Sequence, residues 1–384
     1  LIGRSNGFAR RAPNASGERI LVCTIPVAAR PSHAFDPAPL DCWLRARLPD
    51  LGGLRKVSQV EGGQSNPTYR LVCERGAAAL RKQPPGRLLP SAHRIDREWE
   101  FLRRLGAAAG RPVPVPEALA WCNDADLVGT PFYVMRWVTG TCHPTPLLGD
   151  LPADRRLSAY QAAFSCLAAL HCQKPADLAL DRMGRPEGHV QRQIQRWSAQ
   201  CDSAATEPVA SFDELRRALS DWAPGDAEPA VVHGDYRFAN LILSTDGAQV
   251  AAVLDWELAT IGHPLADLAH ACVAFRCAPD TPGFPGIQGV DTLSAVYPTE
   301  DDALDRYVAA GGRSIPPDWG FWMAYALFRL AAISQGIFAR GLNGNASSAH
   351  WREFGPAVDS LSRLGLDAVR GRRQGASLRR SGKA

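Results

Sequence analysis

A two-lobed α+β fold is predicted for this chain of 384 residues by three features. β-type runs and turn signals dominate residues 55–82, helical periodicity dominates beyond 140, and one short hairpin near 241–255 interrupts the helical part. Strands gathered ahead of helices, instead of alternating with them, place a hinge near 136–141.

Each element has its own signal. KVSQVEGGQSNPTYRLVCERGAAALRK (56–82) holds two β-type runs around Gly62-Gly63 and a third that Pro-Pro-Gly stops. Residues 91–105 carry Ile95, Trp99, Leu102 and Leu105 on one stripe at helical spacing. RPVPVPEALAWC is a proline-broken connector to a strand pair, and TPFYVMRWVTG is the last strand before the hinge. Leu157, Tyr160, Phe164, Leu167 and His171 then share a helical face, and further helices are expected at 188–200 and 211–222. VVHGD, NLILS and VAAVLD are short β segments, the last two joined by Thr245-Asp246-Gly247, whose Asp-Gly favours a tight hairpin turn. The remainder to about 366 reads as helix. The expected organisation is a disordered tail (1–38), a small β-rich N-lobe (39–138), a larger helical C-lobe (139–366) and a basic disordered tail (367–384).

Composition narrows the class. Apolar residues at 46% and charged residues at 21% are ordinary for a soluble globular protein. The net charge of +4 hides an uneven distribution: residues 1–30 carry +4 and 369–384 carry +6, so the folded part between them is acidic at −6. A nucleic-acid partner would need a basic face on the fold itself, and none is expected. The first thirty residues are Arg-rich and acid-poor, as transit peptides are, but lack a continuous apolar segment, and a solvated tail is the expectation. Ten cysteines without a single C-x-x-C read as small core residues in a reducing cytosol. WGFWMAYALFRLAAISQGIFAR (319–340) is interrupted by Arg329, Ser334 and Gln335, so a buried core helix is expected there and no membrane span.

The chemistry concentrates around the hairpin. HGDYRFAN (233–240) places Asp235 on the loop feeding it, Asn240 opens its first strand and Asp255 closes its second. A hairpin brings its ends together, so these three oxygen-bearing side chains converge at one edge. Mg²⁺ takes hard oxygen ligands with only one or two carboxylates. Phosphoryl transfer needs a carboxylate that orients a hydroxyl and accepts its proton, beside metal ligands that neutralise phosphate charge. Asp235 suits the first role; Asn240 and Asp255 suit the second. Turn chemistry explains any one of them alone, but not the three together.

HGDYRFAN followed by LDWE resembles the Brenner motif of the aminoglycoside phosphotransferase/choline kinase superfamily, relatives of protein kinases. GGQSNPTY (62–69), PPGRLLPSAHRIDRE (84–98), GTPFYVM (129–135), LDWELATIGHPLADLA (254–269) and GNASSAH (344–350) are similar to a branch whose kinase-like domain is fused to some acyl-CoA dehydrogenases. The resemblance covers about 40–360. It implies a bilobal protein-kinase-like fold that uses ATP and Mg²⁺. Gly62, Gly63, Gln64, Ser65 and Asn66 would lie over the phosphates, with backbone N–H groups as donors.

The resemblance also calls for a buried acid paired with a base on the third strand. On a helical wheel Glu98 falls at about 300°, inside the apolar stripe, and Glu100 at about 140°, outside it; Glu98 is the choice. The family pattern aligns Arg81 with the kinase lysine, and adjacent Lys82 is the alternate, although on a strand it points to the opposite face. The base of the nucleotide would rest on Met135, Arg136, Trp137 and Val138. The family often has an acid in place of Arg136 and Phe in place of Trp137, which leaves ATP against GTP open. His233 and Asp267 are expected to brace the loop, and Arg237 is a candidate charge partner for phosphate or substrate. The expected activity is transfer of the γ-phosphate to a hydroxyl of a small molecule, with a hydroxyacyl-CoA ahead of an aminoglycoside, amino-alcohol or sugar. A non-catalytic nucleotide-binding protein and a metal-dependent phosphohydrolase are the alternatives.

Overall fold

In the computed structural model the described residues are 35–60, 66–85, 94–204, 207–221, 224, 227–290, 296–344 and 350–378, with side chains to 371. The chain enters through helix α1 (Pro37–Arg47), capped by the Asp36 carboxylate, which accepts from Ala38 N at 3.0 Å. A five-stranded antiparallel sheet follows: β1 (Leu54–Gln59), β2 (Thr68–Cys73), β3 (Gly76–Lys82), β4 (Ala118–Cys122) and β5 (Phe132–Arg136), in the order β1-β2-β3-β5-β4. Helix α2 (Ile95–Gly106) leaves β3 and returns to β4.

Alternation along the strands sends side chains to two covers. Leu71, Leu80, Phe132 and Val134 pack with Leu40 and Leu44 of α1 on one face. Ala79, Tyr133 and Met135 meet Ile95, Phe101, Leu102 and Leu105 of α2 on the other. Helix α2 also faces the second lobe: Phe101 stacks on Trp256 at 6.4 Å, and Arg97 Nε donates to Ala259 O at 3.2 Å.

Past the hinge come β6 (Thr141–Cys142), α3 (Ala153–His171), α4 (His189–Ser203), α5 (Ala210–Ser220) and β7 (Ala230–Val232). β8 (Leu241–Leu243) and β9 (Val250–Val253) form the expected hairpin, with Leu241 opposite Val253, and β6 extends it. β10 (Thr260–Gly262) pairs antiparallel with β7, so the strand ahead of the HGDYRFAN loop belongs to a separate two-stranded ribbon. Helices α6 (Pro264–Cys272), α7 (Glu300–Ala309), α8 (Trp319–Leu342) and α9 (Phe354–Leu378) complete the lobe.

Among the described residues α8 alone is long and apolar enough to cross a membrane, and 72% of its apolar window is buried inside the protein. It is the core helix of the C-lobe, surrounded by α4, α5, α6 and α9. Both tail boundaries differ from the sequence reading. Helix α1 begins inside the stretch assigned to the tail, and α9 continues past 366.

Candidate active site

The 233–240 loop is pinned from below before any of its side chains is considered. Gly234 sits at φ 83°, and a Cβ there would lie 2.7 Å from Leu258 O, so only glycine fits. The Asp267 carboxylate of α6, buried, accepts from His233 N at 2.7 Å and Gly234 N at 2.8 Å, with His171 Nε2 at 3.3 Å. Arg329 of α8 donates to Gly234 O. Asp235 N donates to His233 Nδ1 at 3.2 Å, which makes Nε2 the protonated nitrogen that donates to Leu254 O at 2.8 Å. His233 therefore ties the loop to the far strand of the hairpin, a bracing role.

Asp235 is held by both oxygens. Oδ1 lies 3.0 Å from His270 Nε2; Oδ2 accepts from Asn240 Nδ2 at 2.8 Å and Arg237 Nε at 3.3 Å. Burial pushes its carboxyl upward, but the His270 hydrogen bond and the charges of Arg237 and Arg329 outweigh it, and the group rests well below the ordinary carboxylate range. Asn240 spends its amide N–H groups on Asp235, the second bond going to Asp235 O at 2.8 Å, and keeps Oδ1 as an acceptor.

Leu254 N donates to Asn240 O at 2.8 Å, which brings Asp255 beside Asn240 as the hairpin geometry requires. Asp255 occupies the left-handed region at φ 65°, a conformation Asp tolerates and β-branched residues do not. Among the described residues no group of three His, Cys, Asp or Glu side chains is placed to hold a metal ion. The donors present, one carboxylate and one amide oxygen, would fit a Mg²⁺ ion whose remaining positions went to water and phosphate.

Arg81 joins the lobes. Its Nε donates to Glu98 Oε2 at 2.9 Å, its Nη2 to Asp255 Oδ1 at 2.5 Å and its Nη1 to Thr68 Oγ1 at 3.3 Å. Burial opposes the guanidinium charge, yet Glu98 and Asp255 more than compensate and hold Arg81 cationic. Burial raises the Glu98 carboxyl, Arg81 pulls it back only in part, and the Tyr133 hydroxyl bonds it as well. Glu98 is 1% exposed, whereas Glu100 pairs at the surface with Arg103 and Arg104, as the helical wheel requires. Lys82, the alternate to Arg81, lies on the other face of β3, donating to Val128 O above the Phe35 ring. It does not reach the cleft.

A cavity of about 400 Å³ opens between the lobes, lined by Arg81, Glu98, Asn240 and Asp255 at one end and by the hinge at the other. Met135, Arg136, Trp137 and Val138 all contribute to it; Trp137 packs under the Arg70 guanidinium at 4.8 Å. Arg136 is turned outward to Glu117 at 2.6 Å. Gly62, Gly63, Gln64 and Ser65 lie outside the described residues. Asn66, which follows them, is buried, with Nδ2 3.5 Å from Glu257 Oε2 across the cleft.

Sequence reasoning missed His270, Arg329, Thr68 and Tyr133. His270 was within reach: it lies three residues beyond Asp267, which had been singled out, and so on the same face if the segment is helical. Arg329 had registered only as an interruption in an apolar run.

Two lobes about a cleft, with a carboxylate-bearing loop against a hairpin, define a kinase-like phosphotransferase fold. A family model for the phosphotransferase enzyme family matches residues 56–333, and the chain belongs to that family. It is 39% identical over 347 residues to acyl-CoA dehydrogenase family member 11 of Gallus gallus, covering 88% of this chain and 44% of the relative. The chain spans less than half the length of the curated relatives it matches. A solved structure from Ralstonia eutropha JMP134, itself only provisionally described as an aminoglycoside phosphotransferase, superposes with a TM-score of 0.78. The two are 33% identical, over 88% of this chain and 99% of that one. A thermostable mutant of aminoglycoside phosphotransferase APH(4)-Ia, in ternary complex with AMP-PNP and hygromycin B, shares the fold at TM-score 0.55 and 16% identity, over 85% and 99% of the two chains.

Proposed function

We propose that the protein transfers the γ-phosphate of ATP, with Mg²⁺, to a hydroxyl of a small molecule in the cytoplasm. The observation that carries this is the convergence of Asp235, Asn240 and Asp255 on one edge of the hairpin, with Arg81 reaching Asp255 from the other lobe. Asp235 would orient the acceptor hydroxyl and take its proton as transfer proceeds; its depressed pKa keeps it ionised. Asn240 Oδ1 and Asp255 would hold Mg²⁺, which when bound neutralises charge on the phosphates. Arg81, fixed by Glu98, would grip the triphosphate, and Gly62, Gly63, Gln64, Ser65 and Asn66 would lie over it, as the family resemblance implies. Met135 and Trp137 would contact the base, and Arg237, exposed beside Asp235, would face the acceptor or transferred phosphate.

Transfer would be direct and in line, because no Cys or His on the loop is placed to carry phosphate. A hydroxyacyl-CoA is the favoured acceptor class, supported by the acyl-CoA name of relatives matched across most of this chain. The test is ADP release over panels of hydroxyacyl-CoA, amino-alcohol, sugar and aminoglycoside acceptors, beside Asp235→Ala. The substitution should lower kcat by roughly 10²–10⁴; activity surviving it sinks the assignment of the base. Nucleotide binding with no turnover on any panel would favour a non-catalytic protein.

A further inference from the structure

Both oxygens of Asp235 are held, and they are held from different directions. Asn240 and Arg237 reach Oδ2 from the same loop, whereas Oδ1 is held by His270 from α6, at 3.0 Å. The Arg237 side chain is 55% exposed and its bond is long at 3.3 Å, so it can leave for a ligand. His270 is 8% exposed and has no such freedom. Its ring chemistry is determined by its surroundings. An ionised carboxylate only accepts, so Nε2 must carry the proton. Nδ1 is buried without a hydrogen-bond partner, and protonating it would bury an unpaired N–H close to the Arg329 charge. The ring is thus a neutral donor.

We propose that His270 is a positioning residue for the base, its Nε2–H fixing the plane of the Asp235 carboxylate so that a free lone pair faces the acceptor hydroxyl. This rests on the reading of Asp235 as the base. Helix α6 then sets the loop twice over: Asp267 holds the main chain at His233 and Gly234, and His270, one turn on, holds the side chain of Asp235. A base free to rotate about its last side-chain bond would lose productive geometry without losing nucleotide affinity.

The experiment uses the full chain with ¹⁵N-labelled histidine, and MgATP turnover with water as acceptor. In the spectrum both His233 and His270 should carry the proton on Nε2 and none on Nδ1. The His270 signal is the one that should vanish in His270→Gln, and it should shift in Asp235→Asn. In turnover, His270→Leu should lower kcat roughly tenfold to a hundredfold with KM for ATP within about twofold. His270→Gln, which restores an N–H near the same point, should recover most of the loss. An Nδ1-protonated tautomer, an unchanged kcat in His270→Leu, or equal losses in the Leu and Gln variants would each overturn the proposal. Full turnover by Asp235→Asn would instead overturn the base, while the spectrum still reports on the His270 bond.

Discussion

Arg81 Nη2 lies 2.5 Å from Asp255 Oδ1 while its Nε holds Glu98 at 2.9 Å, so one buried guanidinium spans both lobes. Its fork can meet two carboxylates at once, which a lysine ammonium at the end of a flexible stem cannot do with the same geometry. Removing one member of a buried pair costs about 3–5 kcal/mol, because the remaining charge is stranded. Arg81→Met should lose stability on that scale in urea unfolding and should fail to bind ATP tightly. Arg81→Lys should fold with a smaller loss but raise KM for ATP about tenfold. A Met variant as stable as the wild type would show that Glu98 finds other partners.

Glu98 and Glu100 sit two residues apart on α2 and should behave oppositely. Glu98→Ala strands Arg81 inside the cleft and should cost several-fold in kcat/KM as well as stability. Glu100→Ala removes only surface pairs with Arg103 and Arg104, worth about 0–1 kcal/mol, and should leave activity unchanged. The pair of variants, measured by ADP release and thermal melting, separates a site acid from a surface one.

That contrast also shows what the sequence could reveal. Glu98 was legible because helical period is fixed by geometry, and the hairpin was legible because Asp-Gly fixes a turn. The hairpin alone indicated that Asp235, Asn240 and Asp255 lie close together, as they do. Strand alternation likewise separated Arg81 from Lys82, which the structure places on opposite faces of β3. Contacts set by tertiary packing were not legible. The pairing of β7 with β10 and the approach of Arg329 to Gly234 each join segments at least 28 residues apart by routes no local pattern encodes. Helix α1 was missed because its two buried leucines, Leu40 and Leu44, give too short a stripe to stand out beside a polar tail.

As the proposed ligands, Asp255 and Asn240 would give Mg²⁺ two protein donors, with water and phosphate supplying the rest. Asp255→Asn should reduce turnover by roughly 10²-fold or more, and raising Mg²⁺ should recover part of it. Chelation with EDTA should abolish turnover of the wild type and leave its melting temperature nearly unchanged, since Arg81 already satisfies the Asp255 carboxylate. A large fall in melting temperature on chelation would point to a structural metal instead.

Asp267 should give the protein a characteristic acid limb. Burial pushes its carboxyl up, but the His171 hydrogen bond, the neighbouring histidines and the His233 N–H outweigh burial and bring it down to about 2. The ordinary value is 3.8, so the folded state binds this proton less readily than the unfolded chain does. A group depressed in this way stabilises the fold fully above about pH 4 and loses that contribution as pH falls through about 2. Its size is on the order of 2 kcal/mol. Asp267→Asn cannot accept from His233 N, Gly234 N and His171 together, and should be less stable at pH 7 by about 3 kcal/mol. Because other carboxylates titrate in both proteins, the difference between their urea midpoints isolates Asp267. The difference should shrink between about pH 4 and pH 2. Parallel curves across that window would mean that the charge of Asp267 is not what holds the loop.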